Sequence, residues 1–139
     1  MKSRFLALVI TTALLVSISA WSDDKAEKAA TESANQWLAL VDADNYAASW
    51  ENAAQFFKNS VSKAQWAKML EASRAPFGKV ESRKLKSATY STSLPGAPDG
   101  KYVVIQYASS FEHKKAAIET VTPMLDKDGQ WRVSGYFVK

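Results

Sequence analysis

The chain has 139 residues, with 18 lysines and arginines against 14 aspartates and glutamates, and it has no cysteine. A length in this range favours one domain rather than several. The lack of cysteine excludes a disulfide framework and a lipid anchor attached through a cysteine.

The first 22 residues are typical of a secretory signal peptide. Lys2 and Arg4 precede an apolar run over residues 5–18, small residues follow, and a polar chain begins at Asp23. The apolar run is shorter than the roughly 20 residues that a membrane-spanning helix requires. A retained membrane anchor is the alternative, but we expect residues 1–22 to be removed.

The cleavage position has two candidates, after Ala20 or after Ser22, because each leaves a small residue at the cut. Ser22 is favoured because Ala20 then lies two positions before it, in the A-x-A-like arrangement. Residues 23–139 are therefore expected to form a single exported domain that acts in the periplasm or, if secreted, outside the cell.

Removal of the signal peptide takes away two basic residues and no acidic ones, so the mature chain carries 16 positive and 14 negative residues, a net charge of +2. This excess is too small to indicate a nucleic-acid or membrane partner. A local basic cluster is more simply the solvated face of a strand; its members are Lys79, Arg83, Lys84 and Lys86.

The first half of the mature chain predicts three helices. Apolar residues recur at spacings of three and four over residues 24–42, and the same spacing returns over residues 46–57. The third helix starts at a capping box formed by Ser62 and Gln65, and Pro76 ends it.

The second half predicts four strands, which lie at residues 80–93, 102–111, 116–125 and 131–138. The connections between them are short, so the strands must pair in an antiparallel way. The first strand alternates poorly between polar and apolar residues, and we expect a bulge in it.

The last turn allows a prediction of strand register. A three-residue loop over residues 127–129, with Gly129 in the left-handed conformation, collects the apolar residues on one face of the sheet. It pairs Leu125 with Trp131, Pro123 with Val133, and Val121 with Gly135. In this register Glu119 lies on the apolar face beside Phe137.

These elements predict an α+β domain, with three N-terminal helices packed on one face of a curved four-stranded antiparallel sheet. That arrangement resembles the nuclear-transport-factor-2-like (NTF2-like) and cystatin-like folds. The resemblance implies a concave sheet that encloses a conical pocket together with its helices.

The mature chain also resembles, over nearly its whole length, a small exported bacterial family catalogued as domain of unknown function 4019 (DUF4019). The resemblance implies an exported single domain without an established activity. It depends on these residues: Trp37-Leu38, Tyr46, Ser49-Trp50, Val61-Ser62, Trp66, Arg74, Pro76, Gly78, Arg83, Phe111, Glu119-Thr120-Val121-Thr122, Asp128-Gly129, Trp131-Arg132-Val133 and Gly135-Tyr136-Phe137.

Signals for catalysis or metal binding are weak. His113 is the only histidine and lies at a predicted hairpin tip, where nothing orients its imidazole for nucleophilic catalysis or a multi-histidine metal site. Asp126 and Asp128 flank a turn that lacks the distal glutamate of a helix–loop–helix calcium site. We predict no metal and no cofactor.

Glu119 is the most informative residue. An ionised carboxylate on a buried face needs a partner, and Arg74 and Arg83 are the candidates because both flank the turn that brings helix onto sheet. Two interpretations remain open: a structural ion pair, or a polar pocket in which Glu119 and an arginine hold an anionic or sugar-like ligand.

Four aromatic residues fall on the apolar faces of the predicted helices: Trp37, Tyr46, Trp50 and Trp66. This periodicity usually means that the side chains pack in the core. The alternative is that Tyr46, Trp50 or Trp66 lines the mouth of a pocket and stacks on a ligand.

Two classes of function follow. One is a non-catalytic periplasmic module that binds a small ligand or a protein partner. The other is a pocket enzyme that uses Glu119 as general base. A third possibility, a protein-inhibitor role, rests only on size and export. The first is favoured because acid–base chemistry needs a second positioned group, and the sequence offers no obvious one.

Overall fold

The computed structural model describes residues 18–139, with side chains described from residue 23. The predicted signal peptide therefore lies outside the described residues except for positions 18–22, which open the first helix. The elements follow in chain order: α1 (Ile18–Asp42), α2 (Tyr46–Glu51), α3 (Gln55–Ser60), α4 (Lys63–Ser73), a 3₁₀ turn (Ala75–Phe77), β1 (Val80–Ser91), β2 (Tyr102–Phe111), β3 (Lys114–Leu125) and β4 (Trp131–Val138).

The described residues contain four α-helices, so the prediction of three helices is wrong in number. The predicted second helix is divided between Asn52 and Ala54. The Asn52 side chain donates to the Ala48 carbonyl, and the Ala54 N–H donates to the Val133 carbonyl of β4 at 2.8 Å. A hydrogen bond to the sheet thus takes the place of a turn of helix. The helical spacing of apolar residues does not reveal such a break.

Helix starts follow local capping signals. The Ser62 side chain accepts from the Gln65 backbone and the Gln65 side chain accepts from the Ser62 backbone, so the predicted capping box at the start of α4 is confirmed. The Asn45 side chain caps α2 by accepting from the Ala48 N–H.

The sheet is an antiparallel meander in the order β1-β2-β3-β4. The bulge expected in the first strand is confirmed, because the β1–β2 pairing shifts between Val80 and Ser82 and again between Leu85 and Ser87. The left-handed Gly129 is also confirmed, with φ of +82°.

The β3–β4 register agrees with the prediction only at the turn. Leu125 pairs with Trp131 and Pro123 with Val133, but the register then shifts, and Val121 pairs with Tyr136 instead of Gly135. The extra residue is a bulge at Ser134, whose hydroxyl donates to the Thr122 carbonyl.

This shift exchanges two aromatic side chains between the faces of the sheet. Tyr136 lies on the face that carries Glu119, whereas Phe137 is 60% exposed on the opposite face. The prediction that Glu119 lies beside Phe137 is therefore wrong, and Val138 is its partner across the strands.

The helices cover one face of the sheet, and α1 contacts all four strands. The space between the layers is filled by apolar side chains, including Trp37, Leu38, Val41, Trp66, Leu70, Val103, Ile105, Tyr107, Val121 and Val133. Glu119 lies among them with none of its side chain exposed.

Candidate functional site

Glu119 is held at the middle of β3 by three donors from different strands. Its Oε1 accepts from Arg83 Nε at 2.7 Å and from the Ser109 hydroxyl at 2.6 Å. Its Oε2 accepts from the Tyr136 hydroxyl at 2.5 Å. Both oxygens of this buried carboxyl group therefore have hydrogen-bond partners.

Arg83 connects that carboxylate to a second one. Its Nη1 and Nη2 donate to the two carboxylate oxygens of Asp42, at 2.7 and 3.0 Å. Burial by itself would lower the pKa of Arg83, but the hydrogen bonds to Asp42 and Glu119 raise it above its ordinary value. Arg83 therefore stays charged and joins the end of α1 to the sheet.

Arg74, the other predicted partner of Glu119, contacts Asp42 instead. Its Nη2 donates to Asp42 Oδ1 at 2.9 Å, and its Nη1 donates to the Gly78 carbonyl at 2.9 Å. The guanidinium carbon lies 4.1 Å from the centroid of the Phe111 ring, and Nε is buried without a hydrogen-bond partner among the described residues. Arg74 is thus built into the packing between the 3₁₀ turn and β2.

Asp42 is the functional residue that the sequence did not single out, since it only ends the first predicted helix. One signal was present: an acidic residue at the C-terminal end of a helix is disfavoured by the helix dipole, so it needs a cation nearby. Together the two carboxylates and two guanidinium groups form a charge-balanced cluster, which we call the buried charge network; its members are Asp42, Arg74, Arg83 and Glu119.

Two tyrosines adjoin the buried charge network. Burial raises the pKa of Tyr136 far above its usual range, and the neighbouring Glu119 carboxylate raises it further. Burial also raises the pKa of Tyr107 to about 12, and its hydroxyl donates to Asn35 Oδ1 at 2.7 Å. Both phenols remain protonated donors at neutral pH.

The predicted aromatic positions lie in different environments. Trp66 is buried, and its Nε1 donates to the Ser49 hydroxyl at 2.9 Å, so it is a core residue. Trp50 is half-buried, and its Nε1 donates to the Val61 carbonyl at 2.7 Å. Tyr46 is mostly buried, with its hydroxyl 3.1 Å from Asp44 Oδ1.

The surface depressions on the helical side of the described residues include two larger ones. One, of about 410 Å³, is lined by Asp42, Asp44, Tyr46, Glu71, Ala75, Gly78, Lys79 and Glu112. A wider groove of about 900 Å³ runs between α3 and the ends of the hairpins, and its lining includes Phe56, Pro98, Met124 and Leu125. Neither depression is lined by Glu119.

The remaining candidates are accounted for by local structure. His113 is exposed in the β2–β3 turn. Arg132 donates to Asp126 at 3.0 Å and to Asp128 at 2.9 and 2.8 Å, and the hydrogen bond from Arg132 lowers the pKa of Asp128. In the described part of the chain, no group of three or more histidine, cysteine, aspartate or glutamate side chains could hold a metal ion.

Fold and site together define an α+β domain with one helical layer, an antiparallel four-stranded sheet and a buried charge network between them. The model of the family DUF4019, described as a protein of unknown function, matches residues 33–136. The chain belongs to this family, as its residues indicated. A comparison with curated proteins finds no match.

Within residues 18–139, no helix has the length and apolar character needed to cross a membrane.

Proposed function

We propose that this protein is a non-catalytic periplasmic module that binds a small ligand or a protein partner. The proposal rests on the burial and the hydrogen bonding of Glu119, the best catalytic candidate in the sequence. Its side chain has no exposed surface, and both of its oxygens are already engaged by protein donors.

A general base must come within hydrogen-bond distance of the proton that it removes. For Glu119 this would require a substrate to displace Arg83, Ser109 or Tyr136 from inside the packed layer. The geometry therefore supports a structural role for Glu119 and argues against the pocket-enzyme alternative.

A binding role is supported by the surface depressions around this closed interior. The depressions at Tyr46 and beside α3 are open to solvent and combine apolar with charged lining residues. Ligand sites are typically concave surfaces with a few polar groups that orient the ligand. A domain with such surfaces, in which Glu119 is already hydrogen-bonded inside, fits a binding role.

Export is part of the proposal and depends on the three-part N-terminus. Mass spectrometry of the periplasmic fraction should find a chain that begins at Trp21 or Asp23. Recovery of the intact chain from Met1 in the inner membrane would contradict export and favour a retained anchor.

We also infer that the architecture is of the NTF2-like class. Support comes from the order of helices before a meander of four antiparallel strands and from α1, which packs across all four strands. A solved structure whose sheet does not curve around α1 would contradict this inference.

The binding role is tested by thermal-shift measurements of the mature chain against small-molecule and protein fractions of the cell envelope. We expect at least one fraction to raise the melting temperature, because a ligand that binds only the folded state stabilises it. The enzyme alternative gains support only if a fraction is chemically converted and a folded Glu119→Gln variant fails to convert it. The matched control is Glu32→Gln, which changes an exposed carboxylate on α1.

A further inference from the structure

The face of the sheet opposite the helices carries a groove of about 470 Å³. We call it the lysine groove; its lining includes Ser82, Lys84, Ala108, Ser110, Lys115 and Lys139. It lies across the end of the sheet that is farther from the β3–β4 turn.

Strand register places two lysines at opposite edges of one row. Lys84 pairs with Ala108, Ala108 pairs with Ile118, and Ile118 exchanges backbone hydrogen bonds with Lys139 at 2.9 and 3.1 Å. The backbones of Lys84 and Lys139 are therefore about 14 Å apart, three interstrand spacings of roughly 4.8 Å.

The floor of the groove between these two lysines is formed by Ala108 and Ile118, of which only Ile118 is large. Ala108 and Ala116 are small, and the neighbouring row pairs Ser82 with Ser110. A lysine side chain is long and flexible, so ammonium groups from both edges can approach one anion or two linked anions above this floor. The serines add hydroxyl donors at the same level.

The groove is cationic because three lysines line it and none of its described lining residues is acidic. Lys115 forms an ion pair with Glu81, whereas neither Lys84 nor Lys139 forms an ion pair with any residue in the range 18–139. Two exposed ammonium groups without an ion-pair partner in this range, close to the serine hydroxyls, attract a multiply charged anion more strongly than a neutral ligand.

We propose that the lysine groove binds a phosphate-bearing ligand, with Lys84 and Lys139 as the charges on its two sides and Ser82 and Ser110 as hydroxyl donors. This inference rests on the proposed binding function and names its surface and ligand class. Two neighbouring residues of the basic cluster therefore face opposite sides of the sheet: Arg83 faces the interior, and Lys84 faces the groove.

The test measures binding of soluble phosphate compounds and of lipid phosphates to the mature chain. Isothermal titration calorimetry with pyrophosphate and with glycerol 3-phosphate measures the soluble arm. Co-sedimentation with phosphatidylglycerol vesicles, compared with phosphatidylcholine vesicles, measures the lipid arm. Binding in the first arm alone assigns a soluble ligand, and binding to the phosphatidylglycerol vesicles, with or without binding in the first arm, assigns a lipid headgroup.

In either arm we expect the double variant Lys84→Ala with Lys139→Ala to weaken binding on the order of tenfold, since two charge-assisted contacts are removed. The control is Lys28→Ala with Lys68→Ala, which removes two exposed lysines that lie outside the lysine groove and outside the two depressions on the helical side, and it should leave binding unchanged. Both variants should keep the melting temperature of the parent chain because their lysines are exposed.

Absence of binding in both arms overturns the inference, and so does an equal loss in the groove variant and the control. If an envelope fraction still raises the melting temperature of the groove variant, the binding function stands and only this site is wrong. If no fraction shifts even the parent chain, the proposed function itself fails.

Discussion

Asp42, the last residue of α1, accepts two hydrogen bonds from the guanidinium group of Arg83 in β1, at 2.7 and 3.0 Å. The same carboxylate accepts a third from Arg74. Asp42 therefore pairs with two cations at a helix end where the dipole would otherwise disfavour an acid. It connects α1, the end of α4 and the sheet.

The first prediction concerns removal of that charge. Asp42→Asn leaves Arg74 and Arg83 with one carboxylate between them, and an uncompensated buried charge is costly. We expect the free energy of unfolding to fall by about 3 kcal/mol. Urea denaturation followed by tryptophan fluorescence measures the loss.

The control is Asp44→Asn, two residues later. Asp44 is exposed and has φ of +59°, a conformation that asparagine tolerates well, so the change should stay within about 0.5 kcal/mol. Equal losses in the two variants would mean that Asp42 does not act through its arginine partners.

The second prediction separates the two arginines. A double-mutant cycle with Glu119→Gln and Arg83→Met should give a coupling free energy above about 1 kcal/mol, because the side chains are in direct contact. The cycle with Glu119→Gln and Arg74→Met should give a clearly smaller value, since Arg74 contacts Asp42 and not Glu119. Urea denaturation of the six chains provides both values.

The reverse order of the two couplings would place Arg74 on Glu119 and contradict the geometry. Another outcome would reopen the functional interpretation: if Glu119→Gln raises stability, the carboxylate is retained at a cost to the fold, as at functional sites that trade stability for activity.

Local rules explain which features could be predicted from the sequence. The Ser62–Gln65 box and the left-handed Gly129 depend on residues a few positions apart, so spacing and turn chemistry identify them. The burial of Glu119 followed from alternation along β3. These features needed no knowledge of distant contacts.

Features that depend on distant partners could not be predicted in this way. The break before α3 is tied to the Val133 carbonyl, and the bulge at Ser134 puts Tyr136 instead of Phe137 beside Glu119. Asp42 meets Arg83 across 41 positions. No periodicity within one segment contains that information.

The third prediction tests the hairpin loop. Gly129 has positive φ, and no heavy atom lies within 4 Å of where a β-carbon would be placed. Gly129→Val should therefore destabilise the fold through backbone strain alone, by about 1–2 kcal/mol. Chemical denaturation measures the change.

The control for that variant is Gly135→Ala. A β-carbon at Gly135 would meet Thr122 Cβ at 3.9 Å, an ordinary contact, and the φ of Gly135 is not in the left-handed region. This substitution should change stability little. A Gly129→Val variant with an unchanged denaturation midpoint would contradict the left-handed conformation.

The last prediction concerns alkaline pH. Burial raises the pKa of Tyr107 to about 12 in the folded chain, whereas an unfolded tyrosine ionises near its usual value of about 10. As the pH rises through this interval, the unfolded chain releases a proton that the folded chain keeps. The unfolded state then binds fewer protons, so the free energy of unfolding falls; at pH 11 the loss from this one group is about 1 kcal/mol.

Urea denaturation at pH 9, 10 and 11, for the parent chain and Tyr107→Phe, isolates this contribution because other titrating groups are common to both chains. The variant also loses the hydrogen bond to Asn35, which lowers its stability by about 1 kcal/mol at every pH. The difference between the chains should therefore be constant up to about pH 10 and shrink above it, because only the parent has Tyr107 to ionise. A difference that stays constant to pH 11 would show that the Tyr107 phenol ionises equally in the folded and unfolded chains.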